Sequence, residues 1–304
     1  MRVLFLINAN AASVTARAGV VIGKALSADH KVEVGETRRR GDAQRLASQA
    51  AADELDAVVA LGGDGTINEA ANGLAGSHTA LGILPGGSTN VFARTVGFAN
   101  DPIHATGQLM TSMAENRIRR VGLGNVDGRR FLFHLGIGID AAIVARVERH
   151  GALKRWAGHP WFVYAGLRTY LTDYDRKRPL IRVTLSDGRV LAPNFLTVVQ
   201  NTNPYSFLGD RPLDVAPHAG FDSPLSVFTI KNLRPTTAFG LVASALGTGR
   251  HLRESRFTDY IAEIDSLTVH ADAPVPTQVD GELLGDRENL LIRHEPEILD
   301  LFFP

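Results

Sequence analysis

The chain has 304 residues, 44% of them hydrophobic and 21% charged, an ordinary balance for a globular protein. A single core seldom grows past about 250–300 residues, so two domains are expected. Its 32 basic and 32 acidic residues cancel, so no global field draws it to nucleic acid or anionic lipid, and the absence of cysteine excludes a disulfide scaffold, a thiolate zinc site and a cysteine nucleophile.

In chain order, Val3–Ile7 reads as a first core strand. As a signal peptide its apolar run is too short, and Asn8 and Asn10 interrupt it at once. A helix follows near Thr15–Leu26, with Ser13 or Thr15 as cap, then a strand at Lys31–Glu36 and a helix near Asp42–Ala52. Asp56–Leu61 is an almost wholly apolar strand that ends in Gly62-Gly63-Asp64-Gly65-Thr66. The helix after it, Thr66–Leu74, points Ala70, Ala71 and Leu74 at a core, and Gly73 weakens its end. Thr79–Leu84 repeats the pattern: an apolar strand, the loop Pro85-Gly86-Gly87-Ser88-Thr89-Asn90, and a helix start at Val91–Arg94. Such alternation predicts a three-layer parallel α/β nucleotide-binding domain over residues 1–123.

Beyond Val121 the pattern changes. Val126-Asp127-Gly128-Arg129 and Leu185–Arg189 are hairpin turns between β-rich runs. Further strands are expected at Asn194–Gln200, Leu225–Ile230, Leu267–Ala271 and Leu290–Arg293, with helices near Ala141–Arg149 and near residues 236–246. Residues 124–304 are thus predicted to form a second, mostly antiparallel β-sandwich domain. No stretch approaches the ~18–20 apolar residues of a membrane span. The cytoplasm is the expected location, and a lipid substrate would have to be reached from solution.

Three glycines in four positions let backbone approach a ligand, and a helix start adds partial positive charge, which together suit a phosphate. Asp64 is the unusual member, because a carboxylate beside a polyphosphate is repelled unless Mg²⁺ or a proton lies between them. A single Gly-Gly-X-Gly reads as a tight turn with Asp64 as a helix cap. Two consecutive strand–glycine loop–helix units favour the phosphate reading, because both loops then lie at the carboxyl edge of one sheet, where open α/β folds bind ligands.

GGDGTINEAANGL, from residue 61 onward less its leading leucine, together with PGGSTNVFAR, resembles the catalytic domain of diacylglycerol kinases, in the branch shared with sphingosine kinases and small soluble bacterial lipid kinases. The family patterns are GGDGTxNEVxNGL and PxGTxNDxAR, and the later Asp280-Gly281-Glu282 matches its DGE motif. The resemblance implies the same two domains, the second lipid-binding and the final residues returning to the first, with ATP and Mg²⁺ as cofactors and a lipid hydroxyl as acceptor. The phosphates would then rest on Gly62, Gly63, Asp64, Gly65 and Thr66 and on Gly86, Gly87, Ser88, Thr89 and Asn90, with Thr37 and Arg38 close by. Asp64 would organise metal and phosphates, and Asn8 stands where relatives carry an Asn-Pro. Glu282 would be the general base, a role its own residues, a mere hairpin turn, do not suggest. Asp140, by its residues a cap for the helix after it, would contact the polar head of the lipid.

Two positions depart from the family: Val91 and Gly122 stand where many relatives carry Asp, which puts a second water-and-metal network in doubt. NAD kinase also uses a Gly-Gly-Asp-Gly loop, but Asn68-Glu69 and Pro85–Arg94 follow the lipid-kinase pattern. A nucleotide- or lipid-binding regulator without turnover is the alternative from another class. Between Arg146 and Arg178, eight basic residues outnumber three acidic ones and both tryptophans are interleaved. This segment reads first as core packing, second as a peripheral membrane dock, and last as a nucleic-acid face. No nucleic-acid partner is expected, and the family suggests a homodimer.

Overall fold

A computed structural model of the chain describes residues 1–149, 164–245, 247 and 250–304. Lys154, Arg155, Trp156, Trp161 and Phe162 of the basic aromatic segment, and the last residue of the helix expected near 236–246, lie outside the described residues. The chain divides into two compact units, one of Met1–Leu123 with Pro296–Pro304 and one of Gly124–Glu295.

In the first unit, β1 (Arg2–Ile7), β2 (Lys31–Glu36), β3 (Ala57–Gly62) and β4 (Ala80–Pro85) pair in parallel in the order β2-β1-β3-β4. Every residue of β3 and β4 is buried, which is why both read as unbroken apolar runs. Parallel neighbours require crossovers, which are right-handed. These are α1 (Ala16–Asp29), α2 (Asp42–Ala52) and α3 (Asp64–Leu74), followed by the short α4 (Val91–Val96) and by α5 (Pro102–Ala114). α1 packs on α5 and α2 on α3, giving helices on both faces of the sheet. Thr15 caps α1, its Oγ1 accepting from Ala18 N at 3.1 Å. Gly73 does not end α3 by weakness. It sits where α3 meets α2, and a Cβ there would stand 2.4 Å from Gln44 O.

β5 (Ile118–Val126) leaves this unit, and the long β15 (Glu282–Phe302) returns to it, pairing Leu301 in parallel with Leu81. Arg120 ties the returning strand within the first unit, donating to Glu297 O at 2.7 Å and to Asp300 Oδ1 at 2.9 Å.

The second unit is antiparallel, built from β6 (Arg129–Phe131), β7 (His134–Gly138), β8 (Ile181–Leu185), β9 (Leu196–Gln200), β10 (Ser206–Leu208), β11 (Arg211–Leu213), β12 (Leu225–Ile230), β13 (Thr258–Ile264) and β14 (Ser266–Val279). β14 pairs with β8 through Leu267–Ala271 and with β7 through Thr277–Val279, and its pairing with β15 is irregular between His270 and Val275. One bent strand thus joins two stretches of sheet over a shared core that includes Leu135, Ile137, Val183, Val199, Val227 and Val269. Helix α6 (Ile139–Arg149) follows β7, and α7 (Pro235–Ala245) follows β12. The fold is α/β followed by antiparallel β. No helix among the described residues is long and apolar enough to cross a membrane.

Candidate functional site

The strand order reverses between β1 and β3, so the crevice at their carboxyl ends is where a doubly wound sheet takes its ligand. Asn8 follows β1 there. Its Nδ2 donates to Thr66 Oγ1 at 2.8 Å, and its own N–H reaches Leu61 O at 3.0 Å. Gly63 is the N-cap of α3 and supplies no side-chain cap. The first amides of a helix have no intrahelical acceptor, so this terminus offers donors at the switch point.

The two glycine loops lie directly on each other. β3 and β4 are in register through Gly62 and Pro85, and Gly86 N donates to Gly62 O at 2.8 Å. A Cβ on Gly86 would stand 2.9 Å from Gly62 Cα, and one on Gly87 would stand 2.8 Å from Gly63 Cα. None of these four glycines has a positive φ. Their lack of a side chain serves this backbone-to-backbone approach. Ser13, one of two expected caps for α1, belongs here instead: its N–H donates to Gly86 O at 2.9 Å and its hydroxyl to Gly87 O at 3.1 Å. Asn90, at φ 51°, closes the second loop by accepting from Gly87 N at 2.7 Å and donating to Gly87 O at 3.0 Å. Ser88 is exposed and Thr89 half-buried.

Asp64 opens α3 without capping it. Its carboxylate spans to α4, accepting from Val91 N through Oδ2 and from Phe92 N through Oδ1, both at 3.0 Å. Glu69 makes the same kind of contact one turn later. Buried within α3, it accepts from Gly41 N at 2.8 Å and Ala43 N at 3.1 Å at the start of α2. Both acids of the first motif thus satisfy helix-start amides on other elements, each such bond to a charged acceptor contributing about 1.5–3 kcal/mol. Sequence reasoning missed Glu69, although its position inside the motif was visible. Thr37 is buried, with its N–H on Ile7 O at 2.9 Å, and the amides of Arg38 and Arg39 donate to Asp42 Oδ2 at 3.0 and 3.1 Å. They lie at the same sheet edge as Asn8. Among the described residues no three His, Cys, Asp or Glu side chains group as a metal site. Mg²⁺ held chiefly by phosphates and water needs only one or two carboxylates from a protein.

The second unit brings Asp140 and Glu282 into one hydrogen-bonded region. Asp140 is the second residue of α6, and its carboxylate runs sideways rather than capping the helix as its sequence position suggested. Tyr205 donates its hydroxyl to Oδ1, and Gln278 donates Nε2 to Oδ2 at 2.7 Å. Burial and the Asp140 charge raise the Tyr205 hydroxyl well above its ordinary value. His134 lies against Tyr205 with ring centroids 4.4 Å apart, and burial lowers its pKa to about 4. Asp280 and Gly281, at φ 48° and 79°, form the two-residue turn between Val279 and Glu282. The Asp280 carboxylate takes the amides of Leu132, Phe133 and His134 at 2.7, 3.0 and 3.0 Å, pinning that turn. Glu282 Oε2 accepts from Arg129 Nη2 at 3.2 Å. Tyr205, Gln278 and Arg129 had no local sequence signal.

A doubly wound α/β unit with paired glycine loops at its switch point is the class this geometry defines. Residues 2–126 match the model of the diacylglycerol kinase catalytic domain. A diacylglycerol kinase of Bacillus subtilis is 37% identical over 115 residues, covering 37% of each chain. A "Probable lipid kinase YegS-like" of Chromohalobacter salexigens is 33% identical over 184 residues, 55% of this chain and 57% of the relative. The chain therefore spans less than two thirds of either of these relatives. A relative of the same description from Pseudomonas aeruginosa is 29% identical over 268 residues, covering 86% of this chain and 81% of its own. A diacylglycerol kinase structure from Bacillus anthracis str. Sterne matches all of this chain and 97% of its own, with TM-score 0.70 at 18% identity. A further structure from that organism covers 95% of its own chain with TM-score 0.79 at 22% identity. These structures share the fold.

Proposed function

We propose that this chain is a lipid kinase that passes the γ-phosphate of ATP to a hydroxyl of diacylglycerol or a related lipid. The observation that carries the reading is the stacked pair of glycine loops at the β1–β3 switch point, within residues that match the diacylglycerol kinase catalytic domain. The amides of Gly62–Thr66 and Gly86–Asn90, with the Ser88 and Thr89 hydroxyls, would hold the phosphates. Thr37 and Arg38 stand at the same edge. Mg²⁺ enters with the nucleotide as part of the substrate, and Asp64 faces it through water. Phosphoryl transfer asks a protein mainly for positioning and charge stabilisation.

In this reading Asp140 engages the polar head of the acceptor. Glu282 takes the hydroxyl proton as the new P–O bond forms and the bond to the departing ADP breaks. The carboxylates that many relatives place at the positions of Val91 and Gly122 take no part here. The acceptor is a membrane lipid, so the reading includes peripheral contact with a bilayer from the cytoplasm. Incubation with γ-labelled ATP, Mg²⁺, extracted lipids and NAD tests it. A labelled lipid supports the proposal; labelled NADP, or no labelled product, overturns it.

A further inference from the structure

Gln278 lies in β14 with no exposed surface, directly across from Gly136 in β7. A Cβ on Gly136 would stand 1.6 Å from Asp140 Oδ2 and 2.4 Å from Gln278 Nε2. The missing side chain at Gly136 is therefore what lets the Gln278 amide cross the neighbouring strand and reach the start of α6. The two ends of that amide do different work. Nε2 donates to Asp140 Oδ2 at 2.7 Å, and Oε1 accepts from Gly281 N at 2.8 Å. A backbone N–H can only donate, so Oε1 must face Gly281, and the amino group is left for the carboxylate. Gly281 is the residue before Glu282. One buried amide thus joins Asp140 to the turn that carries Glu282.

We propose that Gln278 is a positioning residue for phosphoryl transfer, holding the acceptor-binding carboxylate of Asp140 and the base Glu282 in one fixed frame. The inference rests on the lipid-kinase reading above. Neither end of the frame has slack. Tyr205 occupies the other oxygen of Asp140, and Asp280 clamps the turn from its far side through three amides. An apolar side chain at position 278 leaves Asp140 Oδ2 and the Gly281 N–H each short of a buried partner. A glutamate there sets an acceptor against the Asp140 carboxylate. In both cases the turn and the helix start relax apart, and a displacement of about 1 Å can cost about 100-fold in rate.

The test uses the full chain with ATP and dioleoylglycerol in mixed micelles, with kcat normalised to sites that bind a non-hydrolysable ATP analogue. Gln278→Met and Gly136→Ala are each expected to lower kcat by about 100-fold, with KM for ATP and analogue affinity unchanged. Combining Gln278→Met with Asp140→Asn is expected to be no worse than the poorer single variant, because both break one link. If Gln278→Met does not fold, Gln278→Glu keeps the side-chain size and carries the same expectation. Wild-type kcat per binding site in the folded variant, or additive losses with Asp140→Asn, overturns the inference alone. A wild-type chain that labels no lipid overturns the kinase reading and the inference together.

Discussion

Gly86 donates to Gly62 O at 2.8 Å, while a Cβ on Gly86 would stand 2.9 Å from Gly62 Cα and 2.6 Å from Val14 Cγ2. The second glycine loop is therefore folded against the first and against the segment before α1. Gly86→Ala must push backbone as well as the Val14 side chain, because Gly62 Cα at 2.9 Å and Gly62 N at 3.0 Å are main-chain atoms. Overpacking of this kind costs about 1–3 kcal/mol. Gly63→Ala meets its nearest atom, Gly87 Cα, at 3.3 Å and should cost less. Urea unfolding of the two variants checks the order; Gly86→Ala as stable as wild type would refute the stacking argument.

Asp64→Asn is expected to lose both stability and turnover. An asparagine has one acceptor for two amides, so its Nδ2 must face the N–H of either Val91 or Phe92, donor to donor. The loss is about 1–3 kcal/mol for the unsatisfied group. Affinity for a non-hydrolysable ATP analogue should fall with it, since the loops lose their tie to α4. Undiminished turnover in Asp64→Asn ends this assignment.

Glu282→Gln is expected to reduce kcat by about 100- to 10,000-fold, the usual contribution of a general base. Stability should change by less than about 1 kcal/mol, because the pair with Arg129 is partly exposed, at 27% for Arg129 and 21% for Glu282. Arg129→Lys should keep more activity than Arg129→Ala. Steady-state kinetics beside thermal melts separate the two effects, and a Glu282→Gln enzyme with wild-type kcat excludes Glu282 as the base.

His134 makes folding acid-sensitive. Burial holds it neutral with a pKa of about 4, against 6.5 when unfolded, so between those values the unfolded chain binds the extra proton. Stability from this group is complete above pH 6.5 and is lost as pH falls toward 4. By pH 5 the loss is about 2 kcal/mol. Denaturant unfolding at pH 7 and pH 5 should show this drop in wild type and a smaller one in His134→Gln; equal drops count against it.

Legibility differed between the units for physical reasons. The strands of the first sheet were readable because a parallel strand buried on both faces must be an apolar run, as Ala57–Gly62 and Ala80–Pro85 are. The Thr15 cap was readable because capping acts over three residues. The roles of Asp64 and Glu69 were not, since their amide partners lie 26 to 28 residues away. Gln278 and Asp140 are 138 residues apart, and no local spacing encodes that contact. β14 and β15 run far beyond the predicted Leu267–Ala271 and Leu290–Arg293 because their remaining parts carry Pro274, Pro276, Asp286, Arg287 and Glu288, which break the alternation expected of a half-buried strand. The glycine loops stood out in the sequence, yet their mutual contact appears only once β3 and β4 are in register.

That contact also constrains how the chain can diverge. A side chain gained at Gly87 must be matched by retreat of the backbone at Gly63, and one gained at Gly86 by retreat at Gly62 and Val14. These positions, more than twenty residues apart in sequence, cannot drift independently. Among descendants of this chain, the two loops should change together or not at all, so an altered residue in one is a reason to look for its answer in the other.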